Sequence, residues 1–209
     1  YTVLLATTAL ATSPSLNRKL SYDPVTDFVP VTLLADWSAI LVAHPSVPAR
    51  NFAEFKALAK NKQGLMTYSS AGTGSWAHLA PEMLFNRAGI KLTHVPYKGA
   101  AYALRDVIAG FVEAKIDSYV TSISHMKSGR LRALGVTSAE RMVQVPEIPT
   151  IAEQGVPGFS SAIWLGLFVP KGTRSDVIAK LESSFIAVVK DSAVNPRIID
   201  DGMRDRKST

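Results

Sequence analysis

The chain has no cysteine among its 209 residues, which excludes disulfide bonds and metal sites built from thiolates. It also has no apolar run of about 18 residues, the length that a membrane-spanning helix needs. Aromatic residues make up only 8% of the chain, and they do not alternate with its lysines and arginines. Because the basic residues are scattered and the formal net charge is only +6, we predict no nucleic-acid partner.

The remaining composition, 47% hydrophobic and 19% charged, is typical of a globular protein with one or two lobes. Patterns of strand and helix alternate along the chain with short connections, which predicts an α/β fold with mostly parallel sheets. Two long extended passages, 28–43 and 161–169, bracket a self-contained βαβαβ block. This arrangement favours a two-lobed, hinged protein whose ligand lies in a cleft at the carboxyl ends of the strands.

Two local signals predict where helices begin. Asn51 followed by Glu54 is a helix-start signature, and we expect Thr173 with Asp176 to cap a second helix. The first predicted strand, 2–6, is followed by a segment, 7–15, that is rich in Thr, Ser, Ala and Pro and has no predicted helix.

The most informative segment is 68–79, where a short strand enters a small, hydroxyl-rich turn with two glycines and a helix follows at once. A helix start exposes unpaired backbone N–H groups and the positive end of the helix dipole, so this turn is suited to an anion. The alternative is a strand-to-helix connection whose hydroxyls act as caps. The turn lacks the Lys-Ser or Lys-Thr of a P-loop and the third glycine of a dinucleotide site, so we predict no nucleotide cofactor. The candidate ligand-binding residues here are Ser70, Ala71, Gly72, Thr73, Gly74 and Ser75.

His78 follows one turn into the helix, with Glu82 one turn further along the same face. A hydrolase would pair Ser70 or Ser75 with His78 as nucleophile and base. We favour instead a histidine that is hydrogen-bonded near the helix start. The other histidines have no spacing typical of metal ligands, and we predict no metal site.

Further candidates lie beyond this turn. Lys98 either neutralises a bound carboxylate or faces solvent, and Tyr97 beside it is a candidate for the cleft wall. Asp117 ends an alternating strand, where it either accepts from a ligand or caps the next helix. Trp164 on the return passage is either core or cleft wall.

The chain resembles the solute-binding proteins of tripartite tricarboxylate transporters, the Bug proteins. The resemblance covers nearly the whole chain and rests on several motifs in order. These are LSYDP at 20–24, HPSVP at 44–48, the segment 68–79, HVPYKG at 94–99, GRLRAL at 129–134, VTS at 136–138, Pro149-Thr150 with Glu153, Trp164 with Gly166, and Pro170 with Gly172-Thr173.

The resemblance implies a type II periplasmic-binding-protein fold, with residues 39–163 as one domain and 1–38 plus 164–209 as part of the other. It implies that backbone and hydroxyl groups of the 70–75 turn hold a carboxylate. Thr7 and Thr8 would reach the ligand from the other domain, and Asp117 would face its distal part. Membrane components of the transporter are the implied partners.

The chain departs from the family pattern in three ways. Family members have further strands before the position of Tyr1 and a helix beyond Thr209, so we treat the chain as a fragment and expect a signal peptide upstream. Trp76 is bulkier than the small polar residue common there, which narrows the site. The segment 7–15 lacks the usual glycine.

We therefore predict a periplasmic protein, not an enzyme, that binds a small organic carboxylate and delivers it to a membrane transporter. The ligand is left open among a dicarboxylate, an amino acid, an aromatic acid and a citrate-like acid. Two alternatives remain: the serine–histidine hydrolase of small esters or amides, and the effector-sensing domain of a transcription regulator.

Overall fold

A computed structural model describes residues 2–16 and 19–205 of the chain. Its strands and helices are, in chain order, β1 (Leu4–Thr7), α1 (Thr8–Leu16), β2 (Phe28–Ala43), α2 (Phe52–Asn61), β3 (Thr67–Ser70), α3 (Trp76–Ala88), β4 (Thr93–Pro96), α4 (Ala100–Ile108), β5 (Ala114–Ser118), α5 (Tyr119–Lys127), β6 (Arg132–Val136), β7 (Ala162–Pro170), α6 (Ser175–Val189), α7 (Asn195–Asp200) and β8 (Met203–Asp205). None of the helices in these described ranges has the length and hydropathy of a membrane span.

The chain divides into two compact units. The first takes the chain up to Trp37 and from Ile163 onward, and the second is Ser38–Ala162. In the first unit, β1 pairs antiparallel with β7, and the middle of β2, at residues 35–37, pairs antiparallel with β8. Its core places apolar residues of β2 and β7 against the inner face of α6.

The second unit is built on one sheet with helices on both faces. The end of β2 pairs antiparallel with β5 and β6, while β3 pairs parallel with both β4 and β5. One apolar cluster packs α2 and α3 on one face, and another packs α4 and α5 on the opposite face. The carboxyl ends of β3, β4 and β5 therefore meet at one edge of the sheet, which also carries the 70–75 turn.

The predicted α/β class is confirmed, with one correction to the sheets. They are mixed rather than mostly parallel, because β2 and β7 run as long antiparallel strands beside their neighbours. The extended passage predicted over 28–43 is one continuous 16-residue strand. The domain boundaries at 38/39 and 163/164 stay a prediction.

The helix starts were predicted with mixed success. Asn51 is the N-cap of α2, where its side chain accepts a hydrogen bond from the Glu54 N–H. The Thr173 cap is wrong: Arg174 is the N-cap of α6, and the Thr173 hydroxyl donates to the Pro170 carbonyl instead. The segment 7–15, for which no helix was predicted, is largely helix α1.

Candidate functional site

The turn between β3 and α3 is shaped by two glycines. Gly72 has φ +133° and Gly74 has φ +83°, a backbone region that side chains with a Cβ rarely adopt. A Cβ at Gly72 would also lie 3.3 Å from the Tyr97 carbonyl oxygen. The turn therefore needs glycine at both positions to hold this backbone path.

Serine hydroxyls tie the turn together from within. The Ser70 hydroxyl accepts from the Gly72 N–H at 3.1 Å, and the Ser75 hydroxyl donates to the Gly72 carbonyl at 2.7 Å. Ser75 is the N-cap of α3, yet its side chain makes no capping hydrogen bond to the helix. The hydroxyls that could have capped the helix are thus used to fix the turn.

This leaves backbone donors without acceptors. Within residues 2–16 and 19–205, the N–H groups of Ala71, Thr73, Trp76 and Ala77 have no hydrogen-bond acceptor. Trp76 and Ala77 form the first turn of α3, where the helix dipole is positive. Oriented N–H donors at a helix start bind anions, so the turn can hold a carboxylate without a cationic side chain.

A layer of aromatic side chains supports the turn. The Tyr68 hydroxyl donates to Glu82 Oε1 at 2.5 Å, and the Tyr68 ring stacks on His94 at 4.9 Å between centroids. His94 in turn stacks on His78 at 4.1 Å, and its Nε2 lies 2.7 Å from the Ser70 hydroxyl. Each side chain of this layer thus holds the next one in place, from Glu82 up to the turn.

His78 meets the turn directly. Its Nδ1 accepts a hydrogen bond from the Gly74 N–H at 3.1 Å. The preferred interpretation of His78, a histidine hydrogen-bonded near the helix start, agrees with this contact. The pairing of Ser70 or Ser75 with His78 is wrong, because Ser70 bonds to His94 and Ser75 bonds to Gly72.

Burial keeps two side chains of this supporting layer uncharged. Burial, and then the neighbouring His78, lower the pKa of His94 below its usual range. Burial, and then the hydrogen bond to Glu82, raise the pKa of Tyr68. Both side chains are therefore neutral at neutral pH, and they support the turn through hydrogen bonds and packing.

Tyr97 and Lys98 follow β4 at the same edge of the sheet. The Tyr97 hydroxyl donates to Asp106 Oδ2 at 2.7 Å, and burial raises the pKa of that hydroxyl. Lys98 is exposed, and its side chain has no hydrogen bond or ion pair in the part of the chain that the structure describes. Lys98 is thus free to meet an anion, whereas the Tyr97 hydroxyl is already engaged.

Asp117 at the end of β5 is buried and fully engaged. One of its oxygens pairs with Lys115 Nζ, and the other accepts from the Thr121 hydroxyl at 2.6 Å and the Ser122 hydroxyl at 2.9 Å. Lys115 is itself 1% exposed. The pair therefore neutralises itself inside the second unit and anchors the start of α5.

Thr7, Thr8 and Trp164 belong to the first unit. Thr7 ends β1 opposite Leu165, and Thr8 begins α1. Trp164 is half-buried on β7, with its ring 6.1 Å from the Phe168 ring. Their proposed contacts with a ligand stay predictions.

The sequence reasoning missed His94 and Lys115. His94 lies opposite Tyr68 in the parallel register of β3 and β4, which only the sheet pairing reveals. Lys115 gave one signal, a lysine two residues before Asp117 in an otherwise apolar strand. In the described ranges, no three His, Asp or Glu side chains form a group that could hold a metal ion.

Comparison with known proteins places the chain in a family. A family model described as "Tripartite tricarboxylate transporter family receptor" matches residues 1–207. A curated relative, Protein BugT of Bordetella pertussis, is 33% identical over 196 residues, which are 93% of this chain and 60% of that protein. The chain covers only 55% to 60% of the length of the first curated relatives that it matches.

Two solved structures carry ligands. An R. palustris protein with adipate has a TM-score of 0.88 and 32% identity, over 98% of this chain and 69% of that one. MatC from Rhodopseudomonas palustris with bound malate has a TM-score of 0.83 and 29% identity, over 98% of this chain and 70% of that one. Another neighbour is described as the periplasmic binding protein BugD. These neighbours confirm a fold of the periplasmic-binding-protein type.

Proposed function

Because the chain belongs to the tripartite tricarboxylate transporter family of receptors, we propose that it binds a small organic carboxylate on the 70–75 turn. The observation that carries this proposal is the set of four N–H groups, at Ala71, Thr73, Trp76 and Ala77, that lack acceptors among the described residues. Adipate and malate in two similar structures support a carboxylate as the ligand class.

The turn is electrically suited to a carboxylate. Each contact with a helix N-terminus contributes about 0.3–1 kcal/mol when exposed and up to about 2 kcal/mol when partly buried. Hydrogen bonds to an ionised carboxylate are roughly twice as strong as neutral ones. Several together reach micromolar affinity, about 8 kcal/mol.

Other side chains have smaller parts in this proposal. Lys98, exposed and unpaired in the described chain, adds positive charge near the site. The resemblance implies that Thr7 and Thr8 contact the ligand, and Trp164 is a candidate for the wall of the cleft. Asp117 contributes by fixing the β5–α5 connection, since its oxygens are already engaged.

We place the protein in the periplasm, where it delivers its ligand to membrane components of a tripartite transporter. This assignment follows from the family. The family is one of transporter receptors and not an enzyme class, and Ser70, whose hydroxyl contacts His94 beneath the turn, is 0% exposed.

A thermal-shift panel on the ligand-free, intact natural protein tests the ligand class. It compares adipate and malate with their neutral amides. A ligand at about 100 times its Kd adds roughly 2.7 kcal/mol to the free energy of unfolding. We expect stabilisation by an acid and none by its amide, whereas equal shifts would contradict recognition of the charge.

The substitution Gly74→Val tests whether the carboxylate binds on the 70–75 turn. The substitution puts a β-branched residue at φ +83°, so we expect the turn to distort and carboxylate binding to be lost. Gly64→Val is the matched control, since Gly64 has φ +75° and lies before β3, away from the turn. Calorimetric titration should find binding in the Gly64 variant only. Unchanged affinity in the Gly74 variant would place the site elsewhere.

A further inference from the structure

A groove separate from the 70–75 turn runs between α4 and α5 of the second unit. Its volume is about 660 Å³, within the 300–1,000 Å³ typical of small-molecule pockets. Leu104, Arg105 and Ile108 line it from α4, Thr121 and His125 from α5, and Arg130 from just beyond α5. We call this the α4–α5 groove. No residue of the 70–75 turn lines it.

The α4 wall of the groove is mostly apolar. Ala101, Leu104 and Ile108 follow one another at helical spacing along that wall. Alanine at position 101 leaves room that a larger side chain would fill. This wall suits a hydrocarbon chain or ring, because contact with it removes apolar surface of both partners from water.

The groove is cationic at its Arg130 end. The Arg130 backbone N–H donates to the His125 carbonyl at 2.9 Å, which places the two residues side by side. The Arg130 guanidinium bonds to the Ser128 hydroxyl through Nε and has no carboxylate partner among the described residues. His125 Nδ1 is buried and has no hydrogen-bond partner there either. A carboxylate in the groove would pair with the Arg130 guanidinium, whereas His125 Nδ1 is covered by the surrounding residues and is not reached from the groove.

Asp117, which also lines the groove, does not repel an anion. Its charge is compensated by the buried Lys115, and its second oxygen is occupied by Thr121 and Ser122. Arg105 is paired with Asp106 through Nε and is otherwise exposed. Arg130 is therefore the uncompensated charge of the groove within the described chain.

We propose that the α4–α5 groove is a second binding site, for an amphiphilic monocarboxylate with a medium-length hydrocarbon chain. The carboxylate pairs with Arg130 beside His125, and the chain lies along Ala101, Leu104 and Ile108. We specify a ligand with a single negative charge because Arg130 supplies one uncompensated positive charge while the α4 wall of the groove is mostly apolar. The site goes beyond the proposed function, since it shares no residue with the 70–75 turn.

Calorimetric titration of the intact natural protein with octanoate tests the proposal, with octanamide as the neutral probe. We expect octanoate to bind and octanamide to bind at least tenfold more weakly. Arg130→Gln should weaken octanoate binding at least tenfold, and Ala101→Trp should abolish it by filling the groove. Arg50→Gln is the matched control: Arg50 is another exposed arginine, which lies before α2 and outside the groove, and its replacement should leave octanoate binding unchanged.

The two sites can be told apart with Gly74→Val. We expect that variant to lose binding of adipate or malate and to keep binding of octanoate. If instead it loses octanoate binding while Arg130→Gln still binds octanoate normally, octanoate binds at the 70–75 turn and the groove site is overturned. Absence of octanoate binding, or equal binding of acid and amide, would also overturn it. Octanoate bound normally in a protein that binds neither adipate nor malate would count against the proposed function alone. If Ala101→Trp fails to fold, Arg130→Gln decides by itself.

Discussion

Two strand-to-helix connections at the same edge of one sheet satisfy their polar groups in opposite ways. The β3–α3 connection and the β5–α5 connection follow neighbouring parallel strands, and each helix has a serine N-cap, Ser75 or Ser118. Neither serine makes a side-chain capping bond. The first connection fixes its backbone with hydrogen bonds from serine and histidine side chains, while the second holds a buried ion pair of Lys115 and Asp117.

The difference shows where a ligand is to be expected. At the β3–α3 connection, internal bonds consume side-chain groups and leave backbone N–H groups free. At the β5–α5 connection, the charged groups satisfy each other. A carboxylate at a strand end is therefore a weaker sign of ligand binding than a neutral turn with unpaired donors.

The largest expected effect comes from breaking the ion pair. Lys115→Met leaves Asp117 buried without its cation, so we expect the free energy of unfolding to fall by roughly 3–5 kcal/mol. Denaturant titration measures this loss. Lys91→Met, which removes an exposed lysine, is the control and should change little. Similar losses in both variants would mean that the pair contributes nothing to stability.

Next in size is the support beneath the turn. Tyr68→Phe removes the hydroxyl bonded to Glu82 but keeps the ring stacked on His94, so we expect a loss of about 0.5–1.5 kcal/mol. The control is Tyr102→Phe, since the Tyr102 hydroxyl has no hydrogen-bond partner in the described chain and the residue is 56% exposed. Equal stability of the two variants in denaturant would contradict a supporting role for Tyr68.

The serine N-caps give a matched pair with a smaller effect. Ser75→Ala removes the bond to the Gly72 carbonyl, and we expect about 0.5–1 kcal/mol of lost stability and weaker carboxylate binding. Ser118→Ala should alter neither, because the Ser118 hydroxyl makes no hydrogen bond among the described residues. Thermal midpoints and calorimetry distinguish them, and a larger effect at Ser118 would reverse the comparison.

These pairs also show which features the sequence could predict. The Asn51 cap was predictable because donor and acceptor lie three residues apart. The 70–75 turn was predictable because its glycines and serines act within the same short segment. Helix α1 escaped prediction because its Thr, Ser and internal Pro14 disfavour a helix locally.

The support beneath the turn could not be predicted. His94 reaches Ser70 across 24 residues of sequence, through the pairing of β3 with β4. The Lys115–Asp117 pair joins residues that are close in sequence, but its burial depends on the packing of α4 and α5. Such contacts depend on the tertiary fold, which local patterns do not encode.

The smallest expected effect concerns pH. Because the pKa of folded His94 is lowered, the unfolded chain binds more protons than the fold as pH falls below about 6.5, the ordinary histidine pKa. Stability contributed by His94 is thus present above that value and is lost as pH falls toward the lowered pKa. His94→Phe should lose less stability between pH 7.5 and 5.5 than the natural protein. If the variant and the natural protein lost equal stability over this range, the pH dependence would not come from His94.

The central claim is that unpaired N–H groups of the 70–75 turn bind the carboxylate. The most direct test is an NMR titration of the ¹⁵N-labelled intact protein with adipate or malate, following the backbone amides. We predict the largest shifts, in the second unit, at Ala71, Thr73, Trp76 and Ala77, with smaller shifts at Ser118 and Tyr119. Large shifts at the β5–α5 connection, with the amides of the 70–75 turn unmoved, would contradict the account.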